Sequence, residues 1–177
     1  MKNWFKSTLL PALTYAGIVI GIVILHSVVM DILELQFSTY NSIMSIVLPL
    51  AGIAYAMYSF RKEYHNNTIG YSKVFGFGLL VALLISIGVS GYNLLYTFVI
   101  NPDFLELSRQ MMEERMLGRG ADPEMIERAL ESQENLRKPL IMFVISIAGL
   151  MLWSLIFTLI AAAVIKKEPK EPFEGVE

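Results

Sequence analysis

Four long apolar runs, Leu9 to Met30, Ile43 to Phe60, Val74 to Ile100 and Leu140 to Ile165, decide what this chain can fold into. Each is 18 to 27 residues long. At about 1.5 Å of rise per residue, a helix of that length crosses a hydrocarbon core roughly 30 Å thick. The predicted fold is therefore all-α, an integral membrane four-helix bundle embedded in a lipid bilayer. Composition agrees: 55% hydrophobic residues and a mean hydropathy of +0.55 exceed, and 17% charged residues fall below, what a soluble domain of 177 residues carries. The chain has no cysteine, which excludes disulfides, thiolate-ligated clusters and a thiol nucleophile.

Lys and Arg near the ends of spans are retained on the cytoplasmic side, so charge placement predicts orientation. Lys2 and Lys6 precede the first span, and the connection from Asp31 to Ser42 holds Asp31 and Glu34 with no cation. The second connection carries Arg61, Lys62 and Lys73, and the C-terminal tail adds Lys166, Lys167 and Lys170. With both termini and the second connection inside, cytoplasmic segments hold eight Lys/Arg and five Asp/Glu, against six and eleven outside. Arg137 and Lys138, just before the fourth span, run against this pattern. Long loops translocate with weak regard to charge, so the reading stays N-in, C-in. The apolar stretch after Lys6 continues through Leu25, longer than a cleavable signal needs, and predicts an uncleaved signal anchor in a bacterial inner membrane.

Between the third and fourth spans, residues 101–138 switch to nine acidic and six basic residues. Phe104, Leu107, Met111 and Met112 recur at helical spacing, as do Met125, Ile126, Ala129 and Leu130, with Gly118, Arg119 and Gly120 between the two sets. This predicts an extracytoplasmic helical hairpin. Asp122 followed by Pro123 is an N-cap and first-turn signature, favoured further by Glu124 and Glu127 near the positive end of the helix dipole. Each half is short enough to be marginal alone in water. The apolar stripe thus requires the other half, the membrane interface or a second protein. Met111, Met112, Met125 and Ile126 form the candidate partner face, because methionine adapts to irregular surfaces; packing within the hairpin is the plainer use of the same residues. The polar face mixes both charges, which argues against lying on anionic lipid.

Inside the spans, small residues mark where helices approach closely. Gly78, Ala82, Ser86 and Ser90 recur every four residues and share one ridge of the third span. Gly17 and Gly21 form a minimal GxxxG in the first span, and Gly52 and Ala56 a similar pair in the second. The same ridges would serve the bundle itself or a homo-oligomer seam. Ionisable groups within a membrane point to function by default, and the candidates are few. His26 stands near the outer end of the first span and Asn93 late in the third. At comparable depth these two would share a polar pocket with Asp31 and Glu34.

Catalytic motifs are missing. His26, Asp31 and Glu34 lack the i, i+3 or i, i+4 pairing of histidine and carboxylate that helical metal sites use. There is no GxSxG, no HExxH and no Walker spacing among Gly70, Gly76 and Gly78. The expectation is a non-enzyme with no metal, no cofactor and no nucleic-acid partner. Pro49 in the second span would bend that helix, as interrupted carrier helices do, but no internal repeat accompanies it. The tail, 166–177, with Pro169 and Pro172 among alternating charges, is expected to be disordered.

Arg61-Lys62-Glu63-Tyr64, then Ile69-Gly70-Tyr71-Ser72-Lys73-Val74-Phe75-Gly76-Phe77-Gly78, and the exit Asn101-Pro102-Asp103-Phe104 together resemble a family of small bacterial membrane proteins catalogued as domain of unknown function 4199. The resemblance covers essentially the whole chain. It implies a multi-pass inner-membrane protein and carries over no catalytic or ligand residue. Both stretches also have physical roles. Tyr64, Tyr71 and Phe75 suit interfacial anchoring beside cytoplasmic cations, while Pro102 stops the third helix and Asp103 would cap the next. The favoured function is a non-catalytic interaction or assembly module with a membrane-protein partner or homo-oligomer. The alternative is an oligomeric small-solute or ion transporter built on the polar cluster.

Overall fold

The computed structural model describes residues 5–167. Within them the chain is all-α, with helices α1 Leu10–Ile32, α2 Thr39–Tyr64, α3 Tyr71–Leu95, α4 Phe104–Leu117, α5 Pro123–Leu136 and α6 Pro139–Ile165. A π-helical turn, Phe5–Leu9, leads into α1, and another, Tyr96–Ile100, extends α3. Four helical stretches, Lys6–Ile32, Thr39–Tyr64, Tyr71–Ile100 and Pro139–Ile165, are long and apolar enough to cross a membrane. The tail expected to be disordered lies outside the described residues from 168 onward.

Helix ends follow local chemistry. The second helix starts at Thr39, four residues before its apolar run, because Ser38 is extended and its hydroxyl accepts from Asn41 N–H at 3.1 Å. It continues through the buried Pro49 and on to Tyr64, carrying Arg61 and Lys62 in its last turn, where the dipole favours cations. The first helix closes in a Schellman motif: Leu35 N–H reaches the Met30 carbonyl at 2.8 Å and Glu34 N–H the Asp31 carbonyl at 2.9 Å. Glu34 occupies the left-handed position of that motif, with φ 57°, where glycine is the usual residue.

The described chain divides into two compact units, one formed by the chain through Ile87 together with the chain from Leu150, the other by Gly88–Gly149. In the first unit, α1 buries Ala12, Ala16, Val19 and Val23 at spacings of four and three residues. It approaches α2 so closely at Gly52 that a Cβ there would overlap the Val19 side chain. Helix α2 meets α3 through Phe60 and Phe77, whose rings are parallel within 1° at 3.7 Å between centroids. At Gly78 three helices converge, because a Cβ would lie 2.6 Å from the Thr158 methyl of α6 and 2.7 Å from Met57 sulfur of α2. In a bilayer, whose tails are as apolar as leucine, helix association depends on such close packing and not on withdrawal from water. Ala82 and Ser86 continue the Gly78 ridge and are fully buried, the Ser86 hydroxyl donating to the Ala82 carbonyl at 2.8 Å.

The second unit holds the hairpin. Asn101 leaves helical geometry (φ −133°, ψ 76°) just before Pro102, as steric conflict with the proline ring requires. Its side-chain amide donates to Tyr96 Oη at 3.1 Å, and Tyr96 meets Phe104 edge-on at 5.4 Å, which fixes the corner. Asp103, expected to cap α4, makes no side-chain cap hydrogen bond. Its backbone is already helical (φ −75°, ψ −11°), a geometry that turns the carboxylate away from the first free N–H groups. Asp122 does cap α5, its side chain accepting from Glu124 N–H at 3.4 Å, with Pro123 in the first turn. Gly120 (φ 74°) supplies the left-handed residue that reverses the chain.

Candidate functional site

Three polar constellations stand out. The first is the end of the first unit where α2 and α6 finish and α3 begins. Arg61 donates from Nη1 to the Ile165 carbonyl at 2.8 Å, satisfying one of the free C=O groups at the end of α6. The same guanidinium lies 5.1 Å from the Tyr58 ring centroid, a cation-π distance. Beyond the helix ends, Ile69 and Lys167 exchange two backbone hydrogen bonds of 2.8 and 3.0 Å in an antiparallel bridge. Tyr15 Oη donates to Glu63 at 2.9 Å, joining α1 to α2. Lys6, Lys62, Lys73, Lys166 and Lys167 are all exposed.

The second constellation follows α1. His26 is half-buried and its Nε2 has no hydrogen-bond partner among the described residues; Gln36 Oε1 is likewise buried and unpartnered. The His26 ring lies 6.1 Å from that of Tyr40. Asp31 is half-buried and Glu34 exposed. Asn93 belongs to the other unit and is exposed. No group of three or more His, Asp or Glu positioned to hold a metal ion occurs among the described residues.

The third is a groove between α4 and α5, with a volume of about 350 Å³. From α5 come Pro123, Ile126, Glu127, Leu130, Glu131 and Glu134, at helical spacing along a single stripe that Arg137 continues just past the helix end; α4 contributes Arg109, Glu113 and Leu117, each four residues apart. Leu117, Ile126 and Leu130 make the floor apolar. Arg137 Nη2 donates to the Leu105 carbonyl at 2.6 Å, tying the far end of α5 to the start of α4. Ile126 is 6% exposed and is the one buried apolar side chain of the two helices; α4 buries none. Burying one isoleucine contributes about 2 kcal/mol, little for two 14-residue helices that are marginal on their own. Of the partner face expected from sequence, Met111 and Met112 are half-buried, Met125 is 60% exposed and Ile126 belongs to the groove floor. Of the groove carboxylates, sequence marks only Glu127, and as a helix-dipole residue. They become a feature only when the stripes of α4 and α5 are opposed.

The small-residue positions divide by environment. Gly78, Ala82 and Ser86 line a packed ridge in the first unit, and Ser90 is buried in the second. Gly17 and Gly21 lie on the exposed side of α1, with open space where a Cβ would stand. Ser154 and Thr158 on α6 are fully buried with hydroxyls that have no partner among the described residues.

Four apolar helices long enough to cross a membrane and a charged helical hairpin define the class: an all-helical protein with four membrane-span-like helices. The chain belongs to the family described as Protein of unknown function (DUF4199), which matches residues 14–167. That match runs from within α1 through the other three long helices, the hairpin and the Ile69–Lys167 bridge. No curated protein and no solved structure matches the chain.

Proposed function

We propose that this is an integral inner-membrane protein with both termini cytoplasmic, acting as a non-catalytic interaction or assembly module whose extracytoplasmic hairpin receives a partner protein. The observation that carries this reading is the groove between α4 and α5, an apolar floor left open in a hairpin with a single buried apolar side chain. Orientation is supported by the exposed lysines gathered at the end of the first unit that carries the Arg61 bond and the Ile69–Lys167 bridge. Co-purification from native membranes tests the function. Proteins that accompany the wild type should be lost from a Leu117→Glu, Leu130→Glu variant that keeps its yield and helicity. An unchanged set of companions would overturn the reading.

Transport is a second reading, and the unpartnered His26 Nε2 favours it. A buried polar atom without a partner in a span is costly unless water, a solute or an ion visits it. Flux in proteoliposomes that is lost in His26→Ala at unchanged protein yield would support transport, and wild-type-like flux in that variant would exclude this site.

A further inference from the structure

We infer that the hairpin groove is built for a cationic amphipathic helix of another protein, one with an apolar ridge and Lys or Arg on its flanks. This rests on the interaction reading above and names the chemistry of the partner. The groove lining is apolar at Leu117, Ile126 and Leu130 and acidic at Glu113, Glu127, Glu131 and Glu134. None of these four carboxylates has an ion-pair partner among the described residues; the hairpin's ion pair, Arg128 to Glu124, lies outside the groove lining. The lining also holds two cations, Arg109 and Arg137, the latter donating to the Leu105 carbonyl, and the lining keeps a net negative charge. The four charges sit along less than three turns of α5 and the facing turn of α4, within roughly a Debye length of their neighbours, so their fields add.

This pattern selects among occupants. A third helix laid along the two 14-residue helices would put its ridge, at i, i+3, i+4 and i+7, over the floor, and cations on either side of that ridge would meet the carboxylates. An anionic lipid surface would be repelled by the same carboxylates. A second copy is a poor fit, because on the proposed outer side this chain carries eleven acidic residues against six basic ones and would bring like charge to like. Electrostatic complementarity of this kind discriminates partners more than it adds affinity, so the sign of the flanking charge is the property to test.

The test uses the full chain in nanodiscs of zwitterionic lipid and two labelled helical peptides that share one leucine ridge. One peptide carries lysine at the flanking positions and the other glutamate, and empty nanodiscs give the baseline. The lysine peptide is expected to bind at least about 10-fold more tightly than the glutamate peptide, and to weaken as salt rises. Glu127→Lys with Glu131→Lys should abolish or invert the preference, and Glu127→Gln with Glu131→Gln should reduce it. Equal binding of both peptides, binding no greater than to empty nanodiscs, or a preference that survives the Glu127/Glu131 changes would overturn the inference. If a co-purifying partner depends on Leu117 and Leu130 yet the lysine peptide shows no preference, the interaction reading stands and the cationic partner is wrong. If no partner depends on those residues and neither peptide binds, both fail.

Discussion

Arg61, in the last turn of α2, and Ile165, the last residue of α6, are joined across 104 residues of sequence by one charge-assisted hydrogen bond of 2.8 Å from guanidinium to carbonyl. It ties the two helix ends beside the bridge through which Ile69 receives the strand-like residue Lys167. The end of the last described helix is thereby held by a side chain and by a backbone clasp.

Replacing Arg61 by alanine removes a half-buried charged donor and uncovers the Ile165 carbonyl. Hydrogen bonds to charged groups contribute about 1.5–3 kcal/mol. A loss of that order is expected in thermal unfolding of detergent-solubilised protein. Arg61→Lys should recover only part, since an ammonium cannot both reach the carbonyl and lie flat over Tyr58.

Gly78→Ala places a methyl into the Thr158 and Met57 side chains, and overpacking of this kind costs about 1–3 kcal/mol. Thr158→Ser removes the methyl on one side and should restore part of the loss in the double variant. Gly17→Ala and Gly21→Ala meet open space and should be neutral or slightly stabilising, by up to about 1 kcal/mol, through helix propensity. Unfolding midpoints, with size-exclusion profiles in parallel, check both sets; an oligomer broken by the Gly17 or Gly21 change would show that the exposed side of α1 is a seam.

Glu34→Gly relieves a left-handed residue at the end of α1. A gain of about 1 kcal/mol is expected, reduced by the extra freedom glycine brings to the unfolded chain. The same midpoint measurement decides it, and a loss of stability would mean that the Glu34 side chain makes a contact worth more than the strain.

Much of the architecture was legible in the sequence because its signals are local. Run length marks the spans, the Asp122-Pro123 pair marks the start of α5, and the period of four marks the ridge from Gly78. What escaped notice depends on geometry between distant residues. The Ile69–Lys167 bridge has no signature in either segment. Asp103 carries the composition of a cap, but the chain enters α4 already helical, which no residue type announces. Gly17 and Gly21 have the spacing of a packing motif, yet Ala12, Ala16 and Val19 form the buried side of α1, and spacing alone cannot choose between two faces that are both apolar. Hydrophobic periodicity finds stripes on one helix, such as the face of Met111, Met112, Met125 and Ile126, whereas the groove is lined by carboxylates from two helices.

Orientation follows from charge and can be read directly, because the chain has no cysteine and any introduced one is unique. In intact cells, a membrane-impermeant maleimide should label Arg119→Cys in the hairpin turn and spare Lys62→Cys at the end of α2. Permeabilisation should expose both. The reverse pattern would put the hairpin in the cytoplasm.

The central claim, that the open face of the hairpin receives a partner, is tested most directly by photo-crosslinking in cells from a diazirine residue at Leu117, on the groove, and at Met125, outside its lining; the two are 56% and 60% exposed. The expected result is capture of one defined helical segment of another protein from Leu117, with lysine or arginine flanking the crosslinked ridge, and little or none from Met125. Equal, unselective products from both positions, or products confined to lipid and to this chain, would contradict it.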